Sequence, residues 1–184
     1  LAVFPKNFMV EDLFFMNIFT SVFLFKFLES QKIKNLKIKW PNDILSANKK
    51  IGGVLIENII KGKKLNASVT GIGINVNQKS FIKLPSAGSM FLQTNKKYDL
   101  NKVFEELLDT LDLFFDLLKK PDKINLLSSF EKLLYKKGEW CQFKADGFKF
   151  FGRIIGVSNH GLLMIEKKSK KVIQYSNGGV EMIY

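Results

Sequence analysis

Between residues 11 and 30, apolar residues recur every three or four positions, at Phe14, Ile18, Val22, Phe25 and Leu28. That period predicts a helix with one stripe turned towards a core. Over residues 35–40 the pattern alternates instead, with Leu36 and Ile38 on one side, so a short strand is expected. Pro41 ends it, because proline cannot donate to a ladder, and a Pro-Asn-Asp turn follows. Residues 51–57 and 67–76 are apolar, β-branched runs separated by Lys61-Gly62-Lys63-Lys64, the pattern of a hairpin. Along the second of these strands Gly71, Gly73 and Asn75 share one face while Ile72, Ile74 and Val76 share the other. One face is built to pack on helices, and the other is stripped of side chains.

After a loop containing Leu84-Pro85-Ser86, Asp99 is placed to cap a helix whose stripe is Val103, Phe104, Leu107, Leu108, Leu111, Phe115 and Leu118. This helix is expected to end near Lys119-Lys120-Pro121. Residues 122–137 carry Leu126, Leu127, Phe130, Leu133 and Leu134 at the same period, which predicts a further helix packed beside it and stopped by Gly138. From Glu139 onward, short apolar runs are divided by Asp146-Gly147, Asn159-His160-Gly161, Ser169 and Asn177-Gly178-Gly179. These are turn signals between strands, and they predict a small barrel that leans on the larger unit. The pattern is that of an α/β (α+β) protein with a mixed sheet backed by helices, divided into residues 1–137 and 138–184. Residues 1–5 read as an apolar strand already in progress, with an edge able to pair with a second copy in a homodimer.

Composition narrows the class. With 184 residues, 46% of them hydrophobic, the chain has ample material for a core. The apolar stretch at residues 13–25 is interrupted by Asn17, Thr20 and Ser21 and preceded by Glu11-Asp12, so a buried helix is expected and no membrane span. Cys141 has no Cys or His at ligand spacing, which excludes a disulfide framework or a zinc site and fits a reducing cytoplasm. The net charge of +12 comes from lysines spread through the turns, with Arg153 as the single arginine. That distribution describes a solvating surface attractive to acidic partners, and no nucleic-acid partner is expected.

Three blocks carry chemistry: Lys39-Trp40-Pro41-Asn42-Asp43-Ile44, Lys50-Ile51-Gly52-Gly53-Val54-Leu55-Ile56-Glu57, and Gly71-Ile72-Gly73-Ile74-Asn75-Val76-Asn77. Each sets a Lys, Asn or Asp beside an apolar strand or a glycine. A pocket that holds a flat ligand against backbone and neutralises phosphate needs those groups. In this order and spacing the blocks resemble the catalytic core of biotin protein ligases, which form biotinyl-adenylate and pass biotin to a lysine of a carrier protein.

The resemblance implies a class II synthetase-like fold followed by an SH3-like barrel, with biotin and ATP as substrates and Mg²⁺ carried on the phosphates. It implies that Lys50 bridges the biotin carboxylate and the α-phosphate, that Gly53, Gly71 and Gly73 let biotin lie on the backbone, and that Asn75, Asn42 and Lys39 serve the nucleotide. Asp43 is then expected near the incoming lysine of a biotin carboxyl carrier protein, while Trp40 and His160 are structural. In the family a Gly-Arg-rich loop closing over the ligand precedes the segment that starts here at Leu1, and some bacterial members carry a DNA-binding helix-turn-helix ahead of it. No repressor role is expected of this chain. The alternatives are a fragment that only docks the carrier protein, and a relative of the lipoate ligases.

Overall fold

The computed structural model describes residues 2–3, 8–119 and 122–183. In chain order its elements are β1 (Ala2–Val3), α1 (Leu13–Ser30), β2 (Leu36–Lys39), β3 (Asp43–Ser46), β4 (Lys49–Lys61) and β5 (Lys64–Ile74). Then come α2 (Met90–Thr94), α3 (Leu100–Lys119), α4 (Lys123–Leu133), β6 (Trp140–Ala145), β7 (Phe148–Val157), β8 (Leu163–Lys167), β9 (Val172–Tyr175) and β10 (Glu181–Ile183).

α1 is the centre of the molecule. The single stripe expected of it is too narrow: Phe15, Met16, Phe19, Phe23, Leu24 and Phe27 are buried as well, so the helix is covered on nearly every side. It lies between the first sheet and helices α3 and α4, which is where a helix apolar all round belongs. By length and composition alone it could cross a membrane, but most of it is buried inside the protein. Its polar residues are satisfied within the helix, Thr20 donating to the Met16 carbonyl at 2.9 Å and Ser21 to Asn17 Oδ1 at 3.4 Å.

The first sheet has the order β1-β5-β4-β3-β2, all antiparallel. The β4–β5 hairpin forms as expected, turning at Gly62 with φ +61°. β3 is an element the alternation did not disclose. It is joined to β4 through Ala47 and Asn48, both left-handed at φ 46° and 65°, with no glycine to announce the turn. β1 pairs Ala2 with Val69 at the sheet's edge, while Leu1, Phe4 and Pro5 lie outside the described residues.

Asp99 caps α3, its Oδ1 accepting from the Asn101 N–H at 2.9 Å. The helix reaches Lys119, and Lys120 and Pro121 lie outside the described residues. α3 and α4 both pack on α1. α4 stops at Leu133, earlier than the periodicity suggests, because Leu134 turns extended and bridges in parallel to Ile38 of β2. Tyr135 N–H then donates to the Ile38 carbonyl at 2.8 Å.

The second sheet runs β10-β6-β7-β8-β9, again antiparallel, with the Asp146-Gly147 turn at φ 49° and 82°. It shares one hydrophobic core with the helices: Phe143, Ile154, Val157, Leu163 and Ile165 belong to the same buried cluster as Phe23, Leu28 and Phe130. Polar contacts reinforce that join. Glu131 Oε1 accepts from the Val157 N–H at 2.8 Å, and Trp40 Nε1 donates to the Gly161 carbonyl at 3.0 Å.

Candidate functional site

The three sequence blocks converge on the face of the first sheet opposite α1. Asp43 of β3 pairs with Gly53 of β4, and Gly53 pairs with Gly73 of β5. A carboxylate therefore stands at the end of a row of two glycines, with Gly71 following opposite Leu55. Together they line a groove of about 620 Å³ that also takes in Asn42, Lys50 and Asn75.

Lys50 reaches this face through a β-bulge. In a regular strand, residues 50 and 53 would point to opposite sides. Here Ile44 pairs with Gly52 and Leu45 with Lys50, so Ile51 is an extra residue on β4. Ile51 is fully buried, and a side chain at Gly52 would point into the core against Leu24, 3.4 Å away. The bulge thus returns Lys50 to the Gly53 face, an established use of such irregularities. Its ammonium lies 2.6 Å from Asp43 Oδ1 in an ion pair that is half open to solvent.

The glycines differ in what the protein asks of them. A Cβ on Gly53 would lie 3.1 Å from Asp43 Oδ1 and 3.2 Å from Lys50 Cε, so this glycine keeps the ion pair's space clear. A Cβ on Gly73 would meet nothing within 4 Å, and on Gly71 only Leu55 at 3.8 Å. Packing within the chain does not require glycine at these two positions. Their effect is to leave the groove floor bare.

Asn42 and Asn75 are both tied to backbone. Asn42 Nδ2 donates to the Val54 carbonyl at 2.6 Å. Asn75 Nδ2 donates to the Gly88 carbonyl at 2.9 Å, so its amide holds the loop that precedes α2. That loop is a part of the site the sequence patterns missed. Lys50 N–H donates to the Ser86 carbonyl at 2.7 Å and Gly88 N–H to the Lys50 carbonyl at 2.8 Å, so both backbone groups of Lys50 are fixed by it. A Cβ on Gly88 would lie 2.8 Å from Lys49 Cβ, and only glycine permits so close an approach. The available signals were Gly88 and Ser89, whose hydroxyl caps α2 by accepting from the Leu92 N–H at 3.1 Å.

Lys39 lies apart from the glycine row. It lines a second groove, of about 830 Å³, between the two sheets. Asp43 and Lys50 line both grooves and so form the divide between them. The far wall of the second groove comes from residues beyond the three blocks, including Lys136, Cys141 and Glu181. The Lys136 ammonium is held above its ordinary range by its hydrogen bond to Glu139, and partial burial pushes the Cys141 thiol up. Trp40 packs against the core, as expected. Among the described residues, no group of three or more His, Cys, Asp or Glu side chains forms a metal site.

A sequence model of the Biotin/lipoate A/B protein ligase family matches residues 7–75, the stretch that holds all three blocks except its last two residues. A relative from Bacillus spizizenii, described as a bifunctional ligase/repressor BirA, is 30% identical over 141 residues, covering 70% of this chain and 41% of its own length. The chain spans less than half the length of the curated BirA relatives it matches. The apo structure of a biotin protein ligase from Aquifex aeolicus superposes with a TM-score of 0.77 at 25% identity, covering 100% of this chain and 80% of that one. The same enzyme in complex with biotin and ATP shares the fold at a TM-score of 0.78 and 24% identity, covering 100% of this chain and 76% of its own.

Proposed function

This chain is a member of the biotin/lipoate A/B protein ligase family, and we propose that its glycine-floored groove brings biotin and ATP together to form biotinyl-adenylate. The observation that carries the reading is the bulge that turns Lys50 onto the glycine face, beside Asp43 and against a floor that the chain's own packing leaves bare.

The reaction joins two anions. A biotin carboxylate oxygen attacks the α-phosphorus of ATP, the bond from that phosphorus to the bridging oxygen of the β-phosphate breaks, and pyrophosphate leaves. A cation fixed between the two anions lowers the repulsion, and one held by backbone on both sides needs little reorganisation to do so. Lys50 meets that requirement, since the loop at Ser86 and Gly88 clamps its N–H and carbonyl. On ligand entry its ammonium exchanges the Asp43 carboxylate for the substrate anions.

Asp43 is thereby released at the mouth of the groove. There it orients the carrier lysine and accepts its proton as the amine attacks the acyl carbonyl, AMP being the leaving group. Gly53, Gly71 and Gly73 let the biotin rings rest on backbone. Asn75 holds the loop behind the phosphates, Asn42 holds β4, and Lys39 adds positive charge on the nucleotide side. Mg²⁺ enters on the ATP phosphates. The acceptor in this reading is the biotin carboxyl carrier protein of a biotin-dependent carboxylase.

The test is pyrophosphate release on adding biotin and MgATP, with Lys50→Ala beside the unchanged chain. Biotin-dependent release that disappears in the variant supports the reading. Release that survives Lys50→Ala, or the absence of both release and biotin binding, overturns it. Lipoate in place of biotin decides between the two substrates that the family's name covers.

A further inference from the structure

Two neighbouring depressions, of about 560 and 280 Å³, lie where the end of α1, the end of α2 and the start of α3 come together. They share Gln31, Lys96, Tyr98 and Glu106, and so form one continuous hollow. Lys32, Lys34, Lys96, Lys97 and Lys102 line it, against the carboxylates of Asp99 and Glu106. Both carboxylates are engaged. Asp99 Oδ1 accepts from the Asn101 N–H at 2.9 Å, while Glu106 accepts from Gln31 Nε2 at 2.7 Å and lies 4.0 Å from the Lys102 ammonium. Among the described residues, Lys32, Lys34 and Lys97 make no ion pair. The Lys96 ammonium lies over the Tyr98 ring, 5.3 Å from its centroid.

The walls are held by buried polar groups. The Ser46 hydroxyl, itself fully buried, donates to the Lys34 carbonyl at 2.7 Å and lies 3.0 Å from Gln93 Oε1, so one group ties the approach to β2 to α2. Asn77, the last residue of the third sequence block, clasps Tyr98: its Nδ2 donates to the Tyr98 carbonyl at 2.8 Å and its Oδ1 accepts from the Tyr98 N–H at 2.9 Å. Lys32 is the strained member. α1 closes with the Ile33 N–H donating to the Leu28 carbonyl and the Lys32 N–H to the Glu29 carbonyl, which sets Lys32 left-handed at φ 62°. Glycine takes that shape freely, so a lysine there keeps a cation at a conformational cost. The dipole of α1 favours a cation at this helix end. That accounts for Lys32, whereas Lys96 and Lys97 sit in the loop between α2 and α3.

We propose that this hollow binds a small anion carrying two or more phosphate groups, its oxygens taken by Lys32, Lys34 and Lys96 between walls fixed by Ser46 and Asn77. An ammonium brings three donors and no fixed plane, so lysines converging from separate elements suit phosphate oxygens in several orientations. A bounded hollow fits a compact ligand, where an extended strand of nucleic acid needs a long basic track. The proposal is independent of the ligase reading, because none of these residues lines either groove beside Lys50.

The experiment titrates sodium tripolyphosphate into the ¹⁵N-labelled full chain at constant ionic strength, with sulfate as the comparison. It follows the amides of Lys34, Gln93 and Lys96, while those of Gly53 and Gly73 report on the groove beside Lys50. Saturable shifts at the first three are expected, with tripolyphosphate bound roughly tenfold more tightly than sulfate because its further charges reach further lysines. Lys32→Gly separates a binding role from a structural one. Relief of the left-handed backbone should raise the urea midpoint, while loss of the cation should weaken tripolyphosphate roughly threefold. Lys34→Gln combined with Lys96→Gln, which leaves the backbone alone, should weaken it about tenfold. Shifts confined to Gly53 and Gly73, tripolyphosphate bound no more tightly than sulfate, or an affinity unchanged in both variants would each overturn the proposal.

Discussion

Lys50 Nζ lies 2.6 Å from Asp43 Oδ1, and the contact exists because a β-bulge sets Ile51 outside the alternation of β4. Were residues 50–53 a regular strand, the lysine would face α1, where a buried ammonium lacks a partner and is strongly disfavoured. With the bulge, the cation and the carboxylate share the glycine face and neutralise each other. Because removal of the extra residue would leave Lys50 two positions from Gly53 and on the same face, the informative comparison is made on single side chains.

Gly73→Ala and Gly53→Ala separate ligand effects from folding effects. Alanine at residue 73 meets nothing in the protein, and replacing a strand glycine should raise stability by about 0.5 kcal/mol. If the bare floor holds biotin, affinity should nonetheless fall at least tenfold, since a methyl group displaces the ligand from the backbone. Isothermal titration with biotin beside a urea melt reads both quantities. Alanine at residue 53 should instead push Asp43 and Lys50 apart and weaken binding through the ion pair.

Asp43→Asn separates the two half-reactions. Asparagine still fits opposite Gly53 but cannot take a proton from an attacking amine. Pyrophosphate release should be largely retained, while transfer to a carrier lysine should drop by about a hundredfold, the usual range for a lost general base. Equal losses in both steps would mean that the carboxylate acts only by holding Lys50.

The parts of this site that could be read from sequence are those set by local chemistry. Gly71 and Gly73 announce a bare strand face through simple alternation, and Asp99 announces the start of α3 through its cap. What stayed hidden depends on register or tertiary contact. The bulge at Ile51 changes no residue type, and β3 follows a turn made by Ala47 and Asn48 with no glycine in it. α1 showed one stripe where the fold buries nearly all of its sides, because nothing local reveals that a sheet and two helices will enclose it. α4 ends where Leu134 finds Ile38, residues distant in the chain.

The loop at residues 84–89 should matter more than its composition suggests. Asn75→Ala removes the donor to the Gly88 carbonyl, and a part-buried hydrogen bond of this type contributes about 1 kcal/mol. The expected outcome is a destabilisation of that size in urea, together with faster hydrogen exchange at the Lys50 and Gly88 amides, which this loop bonds. Unchanged exchange at Lys50 would show that the loop does not hold this lysine in place.

Cys141, on the wall of the second groove, offers a pH-dependent readout of that groove's burial. Burial raises its thiol pKa, and the Lys136 ammonium opposes this as a smaller effect. Below the unfolded-state pKa the thiol is neutral in both states and contributes nothing to the pH dependence of stability. As pH rises through that value, the unfolded thiol ionises first and stability falls until the folded thiol ionises too. Alkylation by iodoacetamide follows the thiolate, so its rate profile in the native protein should be displaced to higher pH than in urea. Lys136→Ala should displace it further by removing the opposing cation. A native profile lying below the denatured one would mean that Lys136 outweighs burial, and that the second groove is more positive and more open to water than its geometry indicates.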